Sequence, residues 1–334
     1  MHEMMPLSDD ALERAINHAD LDALTETVDS LCLDERFDEI VALRHRCRAA
    51  LVRGLQLWPV AAYCDYRLAL DAPDARALTG LGELSERFML GPFAEVLAST
   101  HTFSSLSDAL PISPDSAAFA HERVLRGDDL TEDPFALRLP DVLGLPLTLH
   151  HWEPDYALAE YRPDRVRCDP PTMPGSWSAA MLTMVERVVD PTVEGALRDL
   201  VAPWLIGSNG RVEVATVEGT AQDAVGALGL RRASFAEVAM PAAVAFMAWA
   251  ASTGGANGRR RGAATGRMRA WWALRALTGL DEDEVHPDEL GEAAAELRFF
   301  LWNDGSPETG WSLRVAVEDA EDGLAWAIAA VDAA

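Results

Sequence analysis

The chain has 334 residues, enough to bury one large core or two ordinary ones, and its 49% hydrophobic and 25% charged residues are the balance of a folded protein, not a disordered one. Its net charge of −26 argues against duplex DNA, RNA or anionic membrane as general partners, because most of the surface would repel them. All 28 basic residues are arginine, which excludes a Walker A lysine, a lysine Schiff base and a Ser-x-x-Lys nucleophile.

From Ser8 to about Arg126 the apolar spacing is helical. Leu21, Leu24, Val28 and Leu31 repeat at three and four behind Asp20, an N-cap residue. Phe37 to Leu55 forms a longer helix that stops before Trp58-Pro59, and further helices are predicted at Val60–Leu70, Asp74–Phe88, Ser105–Leu110 and Asp115–Arg126. Short links between such helices imply antiparallel hairpins, without the regular period of a repeat protein. Within the second helix, Arg44, Arg48 and their basic neighbours read as a solvated face paired to the acids one turn before them.

Between Gly127 and Pro174 the periodicity fails and prolines accumulate, with short strands conceivable at Leu145–His150 and Tyr156–Tyr161. The domain reading is therefore an all-helical region over 1–130, a proline-rich crossover or linker over 131–175, and an α+β region over 176–334. The whole is mostly α with a small β component: a helical-hairpin N-terminal half and a mixed α/β C-terminal half.

In that second half, helices are predicted at Trp177–Val189 and Val193–Leu205. A strand follows through Val212, Val214 and Val217, and a helix opens at the Thr220/Asp223 capping box. Ser234-Phe235-Ala236-Glu237 has the form of a second capping box that starts an apolar helix. A helix is expected over Pro287–Trp302, then a strand through Trp311, Leu313, Val315 and Val317. A last helix, capped by Asp319, places Leu324, Ile328 and Val331 on one face.

The segment Val238–Leu280 stands apart. It has six arginines (Arg259, Arg260, Arg261, Arg267, Arg269, Arg275) and no Asp or Glu. Gly254, Gly258, Gly262 and Gly266 recur every four residues, and a helix is expected to begin near Gly258 or Arg259 after a turn. Free N–H groups there, with three arginines in the first turn, form an anion site, and such charges oppose the helix dipole unless an anion compensates them. The candidate anion-binding residues are Gly255, Gly258, Arg259, Arg260, Arg261 and Arg267. The compensating acid is either internal, Asp281–Glu284 among the options, or a ligand or partner. Gly262 and Gly266 would let this helix approach the alanine-rich one closely. Trp271-Trp272 beside the arginines could line a stacking groove.

Other signals are weaker. His150-His151 with Glu153 and Asp155 could suggest a metal, but adjacent histidines on an extended segment point to opposite sides. His101 and His121 could move protons, yet no nucleophile accompanies them at motif spacing. Cys32, Cys47, Cys64 and Cys168 lie far apart and read as reduced thiols of a cytoplasmic protein. No signal peptide is visible, and the longest apolar run, Val238–Ala251, is shorter than the ~20 residues of a membrane span. No cofactor or metal is implied. The expectation is a non-catalytic binding or scaffold protein that holds an acidic protein partner or anionic ligand. An enzyme acting on a phosphorylated small molecule is the alternative, and nucleic-acid binding the weakest reading.

Overall fold

A computed structural model describes residues 8–82, 89–280, 285–306 and 310–333. The N-terminal helices are α1 (Asp9–His18), α2 (Leu21–Leu33), α3 (Phe37–Ala50), α4 (Trp58–Asp71), α5 (Phe93–Thr100), α6 (Phe103–Leu106) and α7 (Pro114–Val124). Their starts are set locally. Asp20 Oδ1 accepts the Ala23 N–H at 3.2 Å, Pro59 sits in the first turn of α4, and Ser113 Oγ accepts the Ser116 N–H at 3.2 Å. The periodic apolar residues Leu24, Val28, Ile40, Leu43, Cys47, Leu68, Val96 and Phe119 are all buried.

Two expectations fail in this region. Arg44 does not lie on a solvated face; it is 2% exposed and forms an ion pair with Asp65, which joins α3 to α4. The Asp74–Phe88 helix reduces to a 3-10 turn at Ala75–Leu78, with residues 83–88 outside the described part. A reason lies at Gly80, where an added Cβ would stand 2.7 Å from the Phe93 ring and 2.8 Å from Asp65 Cβ. The chain there must press against α4 and α5 instead of continuing a helix.

By its internal contacts the chain forms two compact units, Met1–Val142 with Ala159–Arg167, and Leu143–Leu158 with Cys168–Ala334. The first unit thus includes a hairpin of β1 (Glu160–Arg162) and β2 (Arg165–Arg167). The Tyr161 hydroxyl donates to Glu95 Oε2 at 2.6 Å and the Tyr66 hydroxyl donates to the Arg162 carbonyl, so the hairpin is tied to α5 and α4. Gly91 makes room for it: a Cβ there would sit 2.0 Å from Tyr161 Oη. Burial pushes the Cys47 thiol up to about 11 and Cys32 up to about 12, which keeps both protonated and unreactive.

The second unit is built on a six-stranded antiparallel sheet. In chain order it comprises β3 (Ser178–Met181), α8 (Pro191–Asp199), α9 (Ala202–Gly207), β4 (Arg211–Glu218), α10 (Ala221–Ala227), β5 (Arg232–Val238), α11 (Met240–Ser252), α12 (Ala263–Leu277), α13 (Pro287–Glu296), β6 (Arg298–Asn303), β7 (Trp311–Asp319) and β8 (Leu324–Asp332). The strand order is β3-β5-β6-β7-β8-β4. On one face Phe299, Leu301, Leu313, Val315 and Ile328 pack with residues of α8, α11, α12 and α13; on the other Phe235, Trp302, Ala316 and Ala327 pack with α10. The α+β class is therefore as the sequence indicates. Thr220 and Asp223 form the expected reciprocal capping box of α10.

More of this half is strand than the spacing suggests. Leu324–Val331 belongs to β8, an inner strand paired along its whole length with both β7 and β4. An inner strand covered on both faces is apolar almost continuously, so period alone cannot separate it from a helix. Asp319 caps no helix; its Oδ1 accepts the Glu321 and Asp322 N–H groups in the β7–β8 turn, at 2.9 and 3.1 Å. The helix begun at Pro287 ends at Glu296, and the aromatic run after it is β6. The Ser234–Glu237 box lies in β5, where Glu237 meets Arg298 of β6 through two 3.0 Å contacts.

Trp177–Val189 is not helical. It contains β3 and then runs on to Val188, which bridges Thr216 of β4 at the opposite edge of the sheet. Gly226 of α10 allows that passage, since a Cβ there would stand 2.3 Å from the Thr183 carbonyl oxygen. Among the described residues no helix is long and apolar enough to cross a membrane.

Candidate functional site

The glycine- and arginine-rich segment is the connection between α11 and α12. It is not the start of a helix near Gly258 or Arg259, as the spacing suggested: α12 begins at Ala263, with Gly262 as N-cap at φ 98°. Positive φ is open to glycine and costly for other residues, so the helix cannot extend back through Gly262. Arg259, Arg260 and Arg261 consequently stand in the loop before it, not in its first turn. Gly266 does serve close packing, because a Cβ there would lie 2.3 Å from the Ala248 carbonyl of α11.

The loop is held at several points. Asp332, fully buried at the end of β8, accepts the Ala256 N–H on Oδ2 at 2.6 Å, and Gly255 leaves the space for that carboxylate at φ 77°. Trp204 of α9 donates its indole N–H to Thr253 Oγ1 at 3.0 Å. Ser208 Oγ accepts the Asn257 backbone N–H at 3.0 Å, while the backbone of Gly258 passes close to Gly207. Ser252 accepts from Arg261 N at 2.7 Å on its carbonyl and from Arg260 Nη1 at 3.1 Å on its hydroxyl. Arg259 and Arg261 are exposed and Arg260 half-buried.

The remaining arginines are dispersed. Arg267, expected at the anion site, is 0% exposed and cannot meet an external anion. Its Nε and Nη2 donate to Glu153 at 2.8 and 2.7 Å, and its Nη1 and Nη2 donate to the Pro146 and Thr148 carbonyls at 3.0 and 2.8 Å. Glu153 also accepts from the Tyr156 hydroxyl at 2.6 Å, the Trp271 indole at 2.9 Å and the His150 backbone N–H at 2.9 Å. Burial alone would raise the Glu153 carboxyl, but these donors, Arg267 first, outweigh it and hold the group below the usual carboxylate range. The counter-anion of this arginine is thus an internal glutamate more than a hundred positions away.

Arg269 reaches Asp199 at 3.2 Å, and Arg275 donates to the Leu280 carbonyl at 3.4 Å. The acidic run 281–284, one option for internal compensation, lies outside the described residues. The expected tryptophan groove is absent: Trp271 is buried against Trp152 with Arg267 over its ring at 5.4 Å, and only Trp272 is exposed.

The two adjacent histidines do not diverge. His150–Glu153 is a turn, closed by Glu153 N donating to the His150 carbonyl at 3.0 Å. His150 and His151 accordingly place their Nδ1 atoms 3.1 and 3.9 Å from the Asp288 carboxylate, and His286, two positions before Asp288, places its own 3.8 Å from it. Alternation along an extended strand was the wrong geometry for this segment. Among the described residues no group of His, Cys, Asp or Glu is arranged to hold a metal ion. His101 and His121 are buried, and His101 Nε2 lies 3.1 Å from the Ala69 carbonyl. Burial, with Arg123 nearby, lowers the His101 pKa.

Residues 13–334 match the family of unknown function DUF6183, and the chain belongs to that family. No curated protein and no solved structure matches the chain.

Proposed function

Since that family assigns no activity, we propose from the site alone that the protein is a non-catalytic binding protein. Its α11–α12 loop would capture an acidic segment of a partner protein through Arg259, Arg260 and Arg261. The observation that carries this reading is the anchoring of the loop. The Asp332 carboxylate on the Ala256 N–H, Ser208 Oγ on the Asn257 N–H and the Ser252 carbonyl on the Arg261 N–H fix its backbone, so the main chain that carries the guanidinium groups has little ordering left to lose on binding. Arg261 is exposed and has no side-chain partner among the described residues. Guanidinium groups match carboxylates in paired geometry, and a positive loop on a chain of net charge −26 favours a negative partner there. The phosphorylated-substrate alternative has less support, because both histidines it would need are buried.

Binding of a fluorescent octaglutamate peptide to the full chain tests the proposal, with inorganic phosphate and a DNA duplex as competitors. The peptide is expected to bind with an affinity that falls as salt rises, and R260S/R261S should weaken it at least about tenfold. Equal binding by the double variant, or no binding in about 20 mM salt, overturns the proposal, and saturable stabilisation by phosphate would favour the enzyme instead.

A further inference from the structure

Helix α9 sets an exposed apolar step beside the arginine loop. Its Trp204 is fully buried, with the indole N–H on Thr253 and the carbonyl accepting the Gly210 N–H at 3.1 Å, so the inner side of this short helix is fixed. The two residues that follow are on the outside: Leu205 is 41% exposed and Ile206 82%. Gly207 comes next, and a Cβ on it would stand 3.5 Å from Gly258 Cα, while Ser208 Oγ accepts the Asn257 N–H. Ile206 and Arg259 are thus each one residue from the point where the two backbones meet. At ~3.8 Å per residue their Cα atoms are no more than about 13 Å apart.

Single apolar side chains on a surface need no explanation. Two adjacent bulky aliphatic groups beside charge of one sign are a different arrangement, because such a surface offers both water exclusion and ion pairing to one ligand. Neither Leu200–Gly210 nor Thr253–Gly262 contains an Asp or Glu, in a chain of net charge −26. A polyanion without apolar groups would engage the arginines and leave Leu205 and Ile206 in water. A segment that carries both kinds of group would use the whole surface.

We propose that the partner segment carries a bulky apolar residue next to its acids. Its carboxylates meet Arg259, Arg260 and Arg261, and its apolar side chain packs on Leu205 and Ile206. In an extended segment, at ~3.3 Å per residue, groups a few positions apart span the distance between the loop and α9. This inference rests on the acidic-partner reading of the loop and adds what the partner must offer besides charge.

The test titrates two fluorescent peptides of equal charge into the full chain, one with Phe-Leu between two runs of four glutamates and one with Gly-Ser there. The Phe-Leu peptide should bind at least about tenfold more tightly. Ile206→Ser should remove most of that preference and Leu205→Ser/Ile206→Ser all of it, while the Gly-Ser peptide binds both variants as it binds the native chain. Raising the salt from about 20 to about 200 mM should weaken both peptides and keep their ratio, since apolar contact is not screened. A preference below about threefold, one retained by the double variant, or one that collapses with salt overturns the inference and leaves the acidic-partner reading standing. A loss shared equally by both peptides in Ile206→Ser overturns it as well. If neither peptide binds the native chain, the acidic-partner reading itself fails and takes this inference with it.

Discussion

Replacing Arg267 by methionine removes a fully buried guanidinium while keeping much of its aliphatic volume. Four hydrogen bonds go with it, two to Glu153 and one each to the carbonyls of Pro146 and Thr148. What remains is a Glu153 carboxylate only 1% exposed, with neutral donors from Tyr156, Trp271 and the His150 backbone but no positive charge. Removing one partner of a buried ion pair costs ~3–5 kcal/mol, because the other charge stays desolvated. At ~2–4 °C per kcal/mol for a unit of this size, the melting temperature should fall by about 6–20 °C. The double variant Glu153→Leu/Arg267→Met removes both charges and should be less destabilised than Arg267→Met alone. Urea unfolding followed by tryptophan fluorescence reads all three chains. A loss below about 1 kcal/mol in Arg267→Met would show that the pair does not hold the 146–153 segment to α12, and the internal counter-anion would have to be abandoned.

Acid should act through the same glutamate. Its folded pKa lies below the unfolded one, so its contribution is complete above the ordinary carboxylate value of ~4.3 and is lost as pH falls through the folded value. The stability gap between the native chain and Glu153→Gln should therefore shrink on going from pH 7 to pH 3, and a gap that does not change refutes the assignment. In the other unit, Gly91→Ala should cost ~2–4 kcal/mol, since the new Cβ displaces the Tyr161 hydroxyl and leaves the buried Glu95 short of a donor. Chemical unfolding measures it, and a cost under about 1 kcal/mol would mean that the close approach is not real.

The sequence is most readable where a local rule acts without competition. Asp20 and the Thr220/Asp223 box cap helices through neighbours three residues away, and the alternation of β7 places Leu313, Val315 and Val317 on one covered face. Reading fails where distant partners decide. Nothing near Leu324–Val331 tells of strands on both sides, and only those neighbours turn a helical spacing into β8. The same holds for charge: Arg267 finds Glu153 and Arg44 finds Asp65 across the fold, while Glu39, one of the acids just before Arg44, pairs with Arg36 and Asp38 pairs with Arg76. Loop placement of Arg259, Arg260 and Arg261 could have been foreseen from Gly262, which stands where a left-handed residue ends the link.

One length of chain stands at both borders of the sheet: Ser178–Met181 pairs with β5, and Val188 meets β4 on the far side. Exposed borders invite foreign strands, and short or interrupted ones invite them less. The stretch joining them therefore covers part of each margin, with four residues along β5 and one bridge to β4, although it contributes few residues to the ladder.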